Sequence, residues 1–470
     1  MCSIFGCLNY NNSILSLEKF QQANKLMYRR GPDHSDIKEY FISDRVLRLG
    51  HNRLSILDLS SNGNQPMISS CKRFSIIFNG EIYNHLDLRK EHCFSNHKWK
   101  GTSDTETLLS LFQFYDVENI LNKLEGMFAF CVLDNYEKKI ILARDRSGEK
   151  PLYITSNNNF FSFSSDLISL MKLPNFEKNI CLNSLHHFIM HNYILNPNSI
   201  FKSTYKLPPS SFLIIDLKKY DFKKLNSFNE LINQKGILFK KWWNIREKYK
   251  INFNKNNYFN NTEAILSKSI KNRLISDVPL GAFLSGGIDS SLTVALMQKL
   301  QNQTKTFTIG YENKNFDESQ FAKKISEYLS TDHTSYIFSK NDFLKVIPNV
   351  HDVYSEPFAD SSQIPTMLLS KIARKSVKVV LTGDGGDELF GGYNRYLYAN
   401  KYFKYIQFLS NIYEVNFFKL LNYIPKNLFL FVNQILSYLF ISKKINNSKL
   451  EKIINKLKYI NSKKTFYNSL

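Results

Sequence analysis

The chain of 470 residues lacks an apolar run long enough to cross a membrane. Its most apolar stretch, residues 427–442 (NLFLFVNQILSYLFIS), falls short of the roughly 18–20 residues a spanning helix needs. It also carries Asn and Gln inside, so it reads as a buried helix. The first residues hold no basic segment followed by an apolar run, so no secretion signal is expected. Six cysteines, Cys2, Cys7, Cys71, Cys93, Cys131 and Cys181, include no CxxC pair. Neither a zinc framework nor a disulfide scaffold is expected, but a reducing, cytoplasmic setting with free thiols. Acidic residues are scarce, 41 Asp and Glu against 62 Lys and Arg, for a formal net charge of +21. That excess invites a nucleic-acid reading, yet there is no zinc-finger spacing and no basic heptad region. Much of it follows a general drift toward Lys, Asn, Ile and Phe, and the Lys-rich tail 401–470 reads as a solvated basic face. Nucleic acid is therefore not an expected partner, and no internal repeat is visible.

What is present is a globular composition, 43% hydrophobic and 14% aromatic, in a length that suits two or three domains. Residues 74–78 (FSIIF), 127–133 (MFAFCVL) and 139–143 (KIILA) are short β-branched or aromatic runs bounded by Gly, Asn and Asp, hence strands. Helical periodicity appears over 17–28 and 106–114. Strand runs interrupted by a few helices predict an α+β layered domain over 2–205. Residues 206–260, irregular and rich in Lys, Asn and aromatics, are expected to be a linker. From 261 the rhythm becomes strand, helix, strand: strands at 281–284, 306–311, 334–338 and 377–381, helices at 290–300, 318–329 and 365–375. That alternation predicts a parallel, doubly wound sheet with its ligand at the carboxyl ends of strands.

Three stretches carry chemistry. The chain opens MCSIFG. A small residue at position 2 lets Met1 be trimmed, leaving Cys2 with a free α-amine, of reference pKa about 8, beside its own thiol. Between a strand and a helix stands Ser285-Gly286-Gly287-Ile288-Asp289-Ser290-Ser291. Its glycines let the backbone close on a phosphate at a helix N-terminus, Ser290 and Ser291 can cap the helix or bond phosphate oxygens, and Asp289 can hold Mg²⁺. It is not a Walker A loop, because the Gly-Lys-Ser/Thr ending is missing. A second Gly-rich turn, Thr382-Gly383-Asp384-Gly385-Gly386-Asp387-Glu388, follows another strand, and its carboxylates suit a metal or an amine nucleophile.

Together the two loops resemble the pyrophosphate-releasing ATP domain of the glutamine-hydrolysing asparagine synthetase family. The first half is similar to that family's N-terminal-nucleophile glutaminase through MCSIFG, Arg29-Arg30-Gly31-Pro32-Asp33, His51-Asn52-Arg53-Leu54-Ser55-Ile56, Asn79-Gly80-Glu81-Ile82-Tyr83-Asn84, Ser103-Asp104-Thr105-Glu106, Glu125-Gly126-Met127-Phe128-Ala129-Phe130 and Arg144-Asp145-Arg146-Ser147-Gly148-Glu149-Lys150-Pro151. The resemblance implies a layered αββα domain followed by an α/β pyrophosphatase-loop domain over 261–470, incomplete at its C-terminus.

The resemblance also implies roles. Cys2 is the nucleophile on glutamine, and Asn79 and Gly80 stabilise the oxyanion. Arg53 takes the glutamine carboxylate in bidentate fashion, Asp104 its ammonium, and Glu81 adds polar contacts. Asn79-Gly80 could otherwise form a type I′ hairpin turn, and Arg29 and Arg30 read as helix C-terminal charges. Leu284 and Ile309 line the nucleotide site, with Thr382 and Gly383 at its far wall. Ser285, Gly286, Gly287, Asp289, Ser290 and Ser291 hold pyrophosphate, Asp289 and Asp387 hold Mg²⁺, and Asp384 helps form an adenylate. The implied cofactors are ATP and Mg²⁺, the substrates glutamine and aspartate, and the product asparagine; the assembly state is open, a homodimer included. Around Glu356-Pro357-Phe358-Ala359-Asp360-Ser361-Ser362 the family's Thr-Thr pair and Arg that hold aspartate are not found. A relative amidating a cell-wall or polysaccharide carboxylate, or a glutaminase with an impaired synthetase half, stays open beside the main reading.

Overall fold

The structure, a computed structural model, describes residues 1–10, 15–245, 257–313, 317–394 and 396–397. Twelve strands build its first half: β1 (Ser3–Tyr10), β2 (His34–Ile42), β3 (Arg45–Arg53), β4 (Met67–Ile68), β5 (Phe74–Ile82), β6 (Gly126–Asp134), β7 (Lys139–Arg144), β8 (Tyr153–Ser156), β9 (Phe160–Ser164), β10 (Thr204–Lys206), β11 (Ser211–Asp216) and β12 (Ile237–Lys241). They form two six-stranded sheets, ordered β10-β8-β9-β1-β3-β2 and β12-β11-β7-β6-β5-β4. The central pairings, β1 with β3 and β5 with β6, are antiparallel.

Strand periodicity explains the layering, since alternate side chains leave a strand on opposite faces. In β6, Ala129, Cys131 and Leu133 enter one buried cluster with Ile4 and Leu8 of β1 and Leu47 of β3. Phe128, Phe130 and Val132 enter another, with Leu108, Leu109 and Leu111 of the helix Asp104–Leu111 and with Ile120 and Leu121 of the helix Val117–Lys123. In β1, Phe5 and Cys7 turn to a third cluster against the helix Leu17–Lys25, where the Phe5 and Phe20 rings stack at 4.4 Å. Both sheets are therefore covered on both faces, giving helix, sheet, sheet, helix. A continuous apolar run such as MFAFCVL is what a strand buried on both sides requires.

The expected linker over 206–260 differs from this. Its first part supplies β11, paired with β7, and β12 at the sheet edge. β12 is half polar (ILFKK) with two exposed lysines, and a lysine-bearing edge conceals the period-2 signal in a Lys-rich background.

In the second half, β13 (Leu280–Phe283), β14 (Lys305–Tyr311), β15 (Asp332–Phe338) and β16 (Val379–Leu381) form a sheet ordered β15-β14-β13-β16. All its pairings are parallel. The helices Tyr258–Arg273, Ile288–Leu300 and Ser319–Leu329 share one buried cluster with Ala282 and Leu284, while Ala373 of the helix Gln363–Ala373 packs with Phe307 and Val377. The order reverses at β13, so the crevice at the carboxyl ends of β13 and β16 is the switch point where such sheets bind ligands.

Residues to Thr382 form one compact unit and those from Gly383 a second. The second carries the short helix Gly386–Phe390, entered through Gly385 at φ +89°. The tail 401–470, with the apolar stretch 427–442, lies outside the described residues. No described helix is long and apolar enough to cross a membrane.

Candidate active sites

Cys2 sits immediately before β1, whose Ser3 pairs with Asn52 near the end of β3. This register brings Leu54, just past β3, against the thiol: the Leu54 N–H donates to Cys2 Sγ at 3.3 Å, and Sγ lies 3.6 Å from Leu54 O. Ser3 accepts from Asn52 Nδ2 at 2.9 Å and helps fix the register. A small cleft opens beside the thiol, lined among others by Cys2, Arg53, Gly80, Glu81 and Asp104.

Asn79 and Gly80 lie inside β5, opposite Ala129 and Phe128, so they are not a hairpin turn. Glycine is needed at 80 because a Cβ there would come 2.1 Å from Met127 O. Gly80 lines the cleft. Asn79, fully buried, lies behind it, with Nδ2 3.4 Å from Ser165 Oγ and Oδ1 unpartnered.

Arg53 reaches the cleft with its guanidinium engaged. Nη1 donates to Ser60 O at 2.7 Å and Asn64 Oδ1 at 2.8 Å, while Nη2 donates to Leu57 O at 3.2 Å and to Asp58 O. All four Nη hydrogens thus hold the segment 57–64. That segment fixes where the guanidinium stands in the cleft, a commitment that residue type alone does not reveal.

Asp104 opens its helix behind the N-cap Ser103, and its Oδ2 accepts the Ile82 N–H at 2.8 Å. Burial pushes the Asp104 carboxyl up despite that bond. Burial and then the Asp104 charge push Glu81 well above the ordinary carboxylate range. Lys150 and the terminal amine counter this only in part. A cation placed beside the pair favours their ionised forms.

The only histidine the motifs place here, His51, cannot serve as base. Its Nε2 lies 3.1 Å from Phe78 O, and burial lowers its pKa to about 3. The terminal amine is better suited. The Met1 side chain is half exposed, but its α-amine is enclosed, and burial, aided by Arg30 and Lys150, lowers it to about 6.

Arg30 closes the short helix Tyr28–Arg30, as its reading as a helix-terminal charge expects, and it also reaches the nucleophile's backbone: its Nε donates to Cys2 O at 3.4 Å, and Nη1 lies 3.7 Å from Asp166 Oδ2. Gln65 is another site residue, accepting the Phe78 N–H through Oε1 at 2.6 Å and donating to Thr105 Oγ1 at 3.2 Å. The Arg29–Asp33 motif could have signalled the first; nothing marked the second.

The second site lies at the carboxyl ends of β13 and β14, beside the switch point. A large open crevice there is lined by Leu284, Ser285, Ile309, Ser361 and Ser362 among others. The helix Ile288–Leu300 begins behind Gly287, with no side chain capping it. Here the structure differs from the expected serine caps. Ser290 and Ser291 stand within the first turn, and their hydroxyls reach back to Gly287 O at 3.2 and 2.6 Å. The leading N–H groups are left for a ligand. Gly286 adopts φ +86°, in the left-handed region that favours glycine. Asp289 sits in the same first turn. Thr382 follows β16 at the same sheet end, while Gly383, Asp384 and Asp387 belong to the second unit, where a Cβ on Gly392 would come 2.0 Å from Asp387 Oδ1.

Comparison with known proteins follows the same division. Residues 1–226 match the glutamine amidotransferase domain family and residues 261–465 the asparagine synthase family. A Methanocaldococcus jannaschii protein with the provisional name asparagine synthetase (glutamine-hydrolysing) 2 is 37% identical over 84% of this chain and 76% of its own length. Asparagine synthetase (glutamine-hydrolysing) 1 of Bacillus subtilis is 32% identical over 84% of this chain, which spans 59% of that relative. Asparagine synthetase B of Escherichia coli is 30% identical over 85% of this chain and 66% of its own. The chain belongs to the glutamine-hydrolysing asparagine synthetase family.

Proposed function

We propose that the chain transfers ammonia from glutamine to an ATP-activated carboxylate, with aspartate as acceptor and asparagine, glutamate, AMP and pyrophosphate as products. After loss of Met1 the α-amine belongs to Cys2 itself. As a free base it takes the thiol proton, the thiolate attacks the glutamine side-chain carbonyl, and the proton passes to the departing ammonia. Water then cleaves the γ-glutamyl thioester to glutamate. The Gly80 N–H and the Asn79 amide stabilise the oxyanion, each such donor being worth about 3 kcal/mol. Glu81 and Asp104 receive the ammonium of glutamine, and Arg53 its carboxylate.

In the second site Leu284 and Ile309 flank the nucleotide. The open N–H groups behind Gly287 and the hydroxyls of Ser285, Ser290 and Ser291 receive its phosphates, with Thr382 and Gly383 beyond them. The carboxylate forms an acyl adenylate with release of pyrophosphate, and ammonia displaces AMP; Asp384 assists the first of these steps. Asp289, beside the phosphate-facing N–H groups, has the hard oxygen donors Mg²⁺ takes, and with Asp387 would hold the ion. When bound, Mg²⁺ offsets phosphate charge. The free thiols suit a reducing compartment, the cytoplasm.

The observation that carries this reading is a cysteine behind Met1 in a cleft with a buried acidic pair and an arginine. The test is purified protein with glutamine, MgATP and aspartate, following glutamate, asparagine, AMP and pyrophosphate. Cys2→Ala should abolish glutamate release, and a variant that still uses glutamine refutes the nucleophile. Ser361 and Ser362 at the crevice support a second reading with the same chemistry and another acceptor. Glutamate release without aspartate-dependent AMP would favour it.

A further inference from the structure

The glutamine cleft of the first half is held in shape by residues of the second. The segment 54–58 makes one wall: Leu54, Ile56 and Leu57 line the cleft, and Leu54 holds the Cys2 thiol. Asp277, three residues before β13, grips that segment twice. Its Oδ2 accepts the Asp58 N–H at 2.8 Å, and its own N–H donates to Ile56 O at 3.0 Å. A second clasp lies beside it. Lys378, the residue before β16, donates to Asp33 Oδ2 at 2.9 Å, and the same oxygen accepts the Ser55 N–H at 2.8 Å. The Lys378 N–H in turn donates to Pro279 O at 3.1 Å, tying the entries of β13 and β16 together.

We propose that Asp277 is a positioning residue for glutamine, fixing the 54–58 wall from the synthetase half with Lys378 as its companion. The proposal rests on the glutaminase reading above. Its chemistry is local: without an acceptor at 277 the Asp58 N–H turns to water, and the peptides carrying Leu57 O and Asp58 O, which hold the Arg53 guanidinium, lose their register. Asp277 does not touch the reacting atoms, so the effect falls on glutamine capture more than on thioester chemistry. β13 and β16 span only four and three residues between these clasps and the nucleotide crevice, which places the clasps at the base of the strands that carry the phosphate loop.

The experiment uses the full chain. Wild type, Asp277→Ala, Asp277→Asn and Lys378→Met are assayed for glutamate release over a range of glutamine, with thermal unfolding in parallel. Asp277→Ala should raise KM for glutamine about five- to tenfold, the loss of one hydrogen bond, with kcat within about twofold. Asp277→Asn keeps an acceptor oxygen and should return KM close to wild type. Lys378→Met should raise KM in the same direction and carries the test if Asp277→Ala fails to fold. An unchanged KM in both Asp277→Ala and Lys378→Met, or equal impairment in the Ala and Asn variants, overturns the proposal while leaving the glutaminase intact. Absence of glutamate release by the wild type overturns the glutaminase reading and this proposal with it.

Discussion

Asp104→Asn should make the free protein more stable and the enzyme worse. In the folded chain Asp104 is buried beside Glu81, and both carboxyls are pushed up, by burial first and in Glu81 next by the Asp104 charge. An amide keeps the oxygen that accepts the Ile82 N–H and removes the repulsion. What is lost is a favourable acidic group in the first turn of a helix, about 0.3–1 kcal/mol. The balance favours the variant, which should show the higher Tm. The sign with pH follows from linkage. A carboxyl raised in the folded state binds its proton more tightly there than in the unfolded chain. Its stabilising contribution is therefore full below the unfolded value of about 4 and lost as pH rises through the raised value. The Tm advantage of Asp104→Asn should accordingly widen from pH 5 to pH 7.5. For catalysis, the glutamine ammonium loses one of two carboxylates, about 1.5–3 kcal/mol, or roughly ten- to a hundredfold in kcat/KM. The assays are thermal unfolding at the two pH values and steady-state glutamate release. A variant with lower Tm at pH 7.5 and wild-type kcat/KM would refute the cation-receiving role of the pair.

Gly286→Ala should raise KM for ATP at least about tenfold in AMP release, because the left-handed backbone disfavours a side chain by about 1–2 kcal/mol and the new Cβ would meet Phe321 Cβ at 2.8 Å. Lys206→Met should lower stability by on the order of 3 kcal/mol in denaturant unfolding, since Glu356, 2.8 Å away and only 12% exposed, is left charged without its cation; adding Glu356→Gln should restore part of the loss.

The first half was legible where strands are buried on both faces, because FSIIF, MFAFCVL and KIILA leave no helical alternative at that length. β12 escaped because an edge strand with lysines does not alternate cleanly. The parallel sheet announced itself through strand–helix spacing, and its switch point through the glycine turn at 285–287. Within the sites, residue identity was readable but hydrogen-bond commitment was not. Arg53 stands in its expected cleft, yet its four Nη hydrogens are taken by acceptors within eleven residues of it. Contacts between distant residues were out of reach altogether: Arg30 with Cys2 across 28 positions, and Asp58 with Asp277 across 219.

The two sites share a physical logic with opposite signs. One gathers buried carboxylates with too little positive charge to balance them; the other leaves the N-terminus of a thirteen-residue helix without a side-chain cap. Each is locally unfavourable, since like charges repel in a buried cleft and an uncapped helix start forgoes about 1 kcal/mol. Either would be easy to relieve, by an amide at 104 or a serine at 287. Selection for stability alone would favour both changes. On the proposed function these deficits match the ammonium of an amino acid and the phosphates of a nucleotide, and ligand charge would complete each site and stabilise the fold by mass action. The clasps at Asp277 and Lys378 matter in that light. They join the wall of the acidic cleft to the entries of β13 and β16, and β13 leads into the glycine-rich turn at 285–287, so the two proposed sites are parts of one framework.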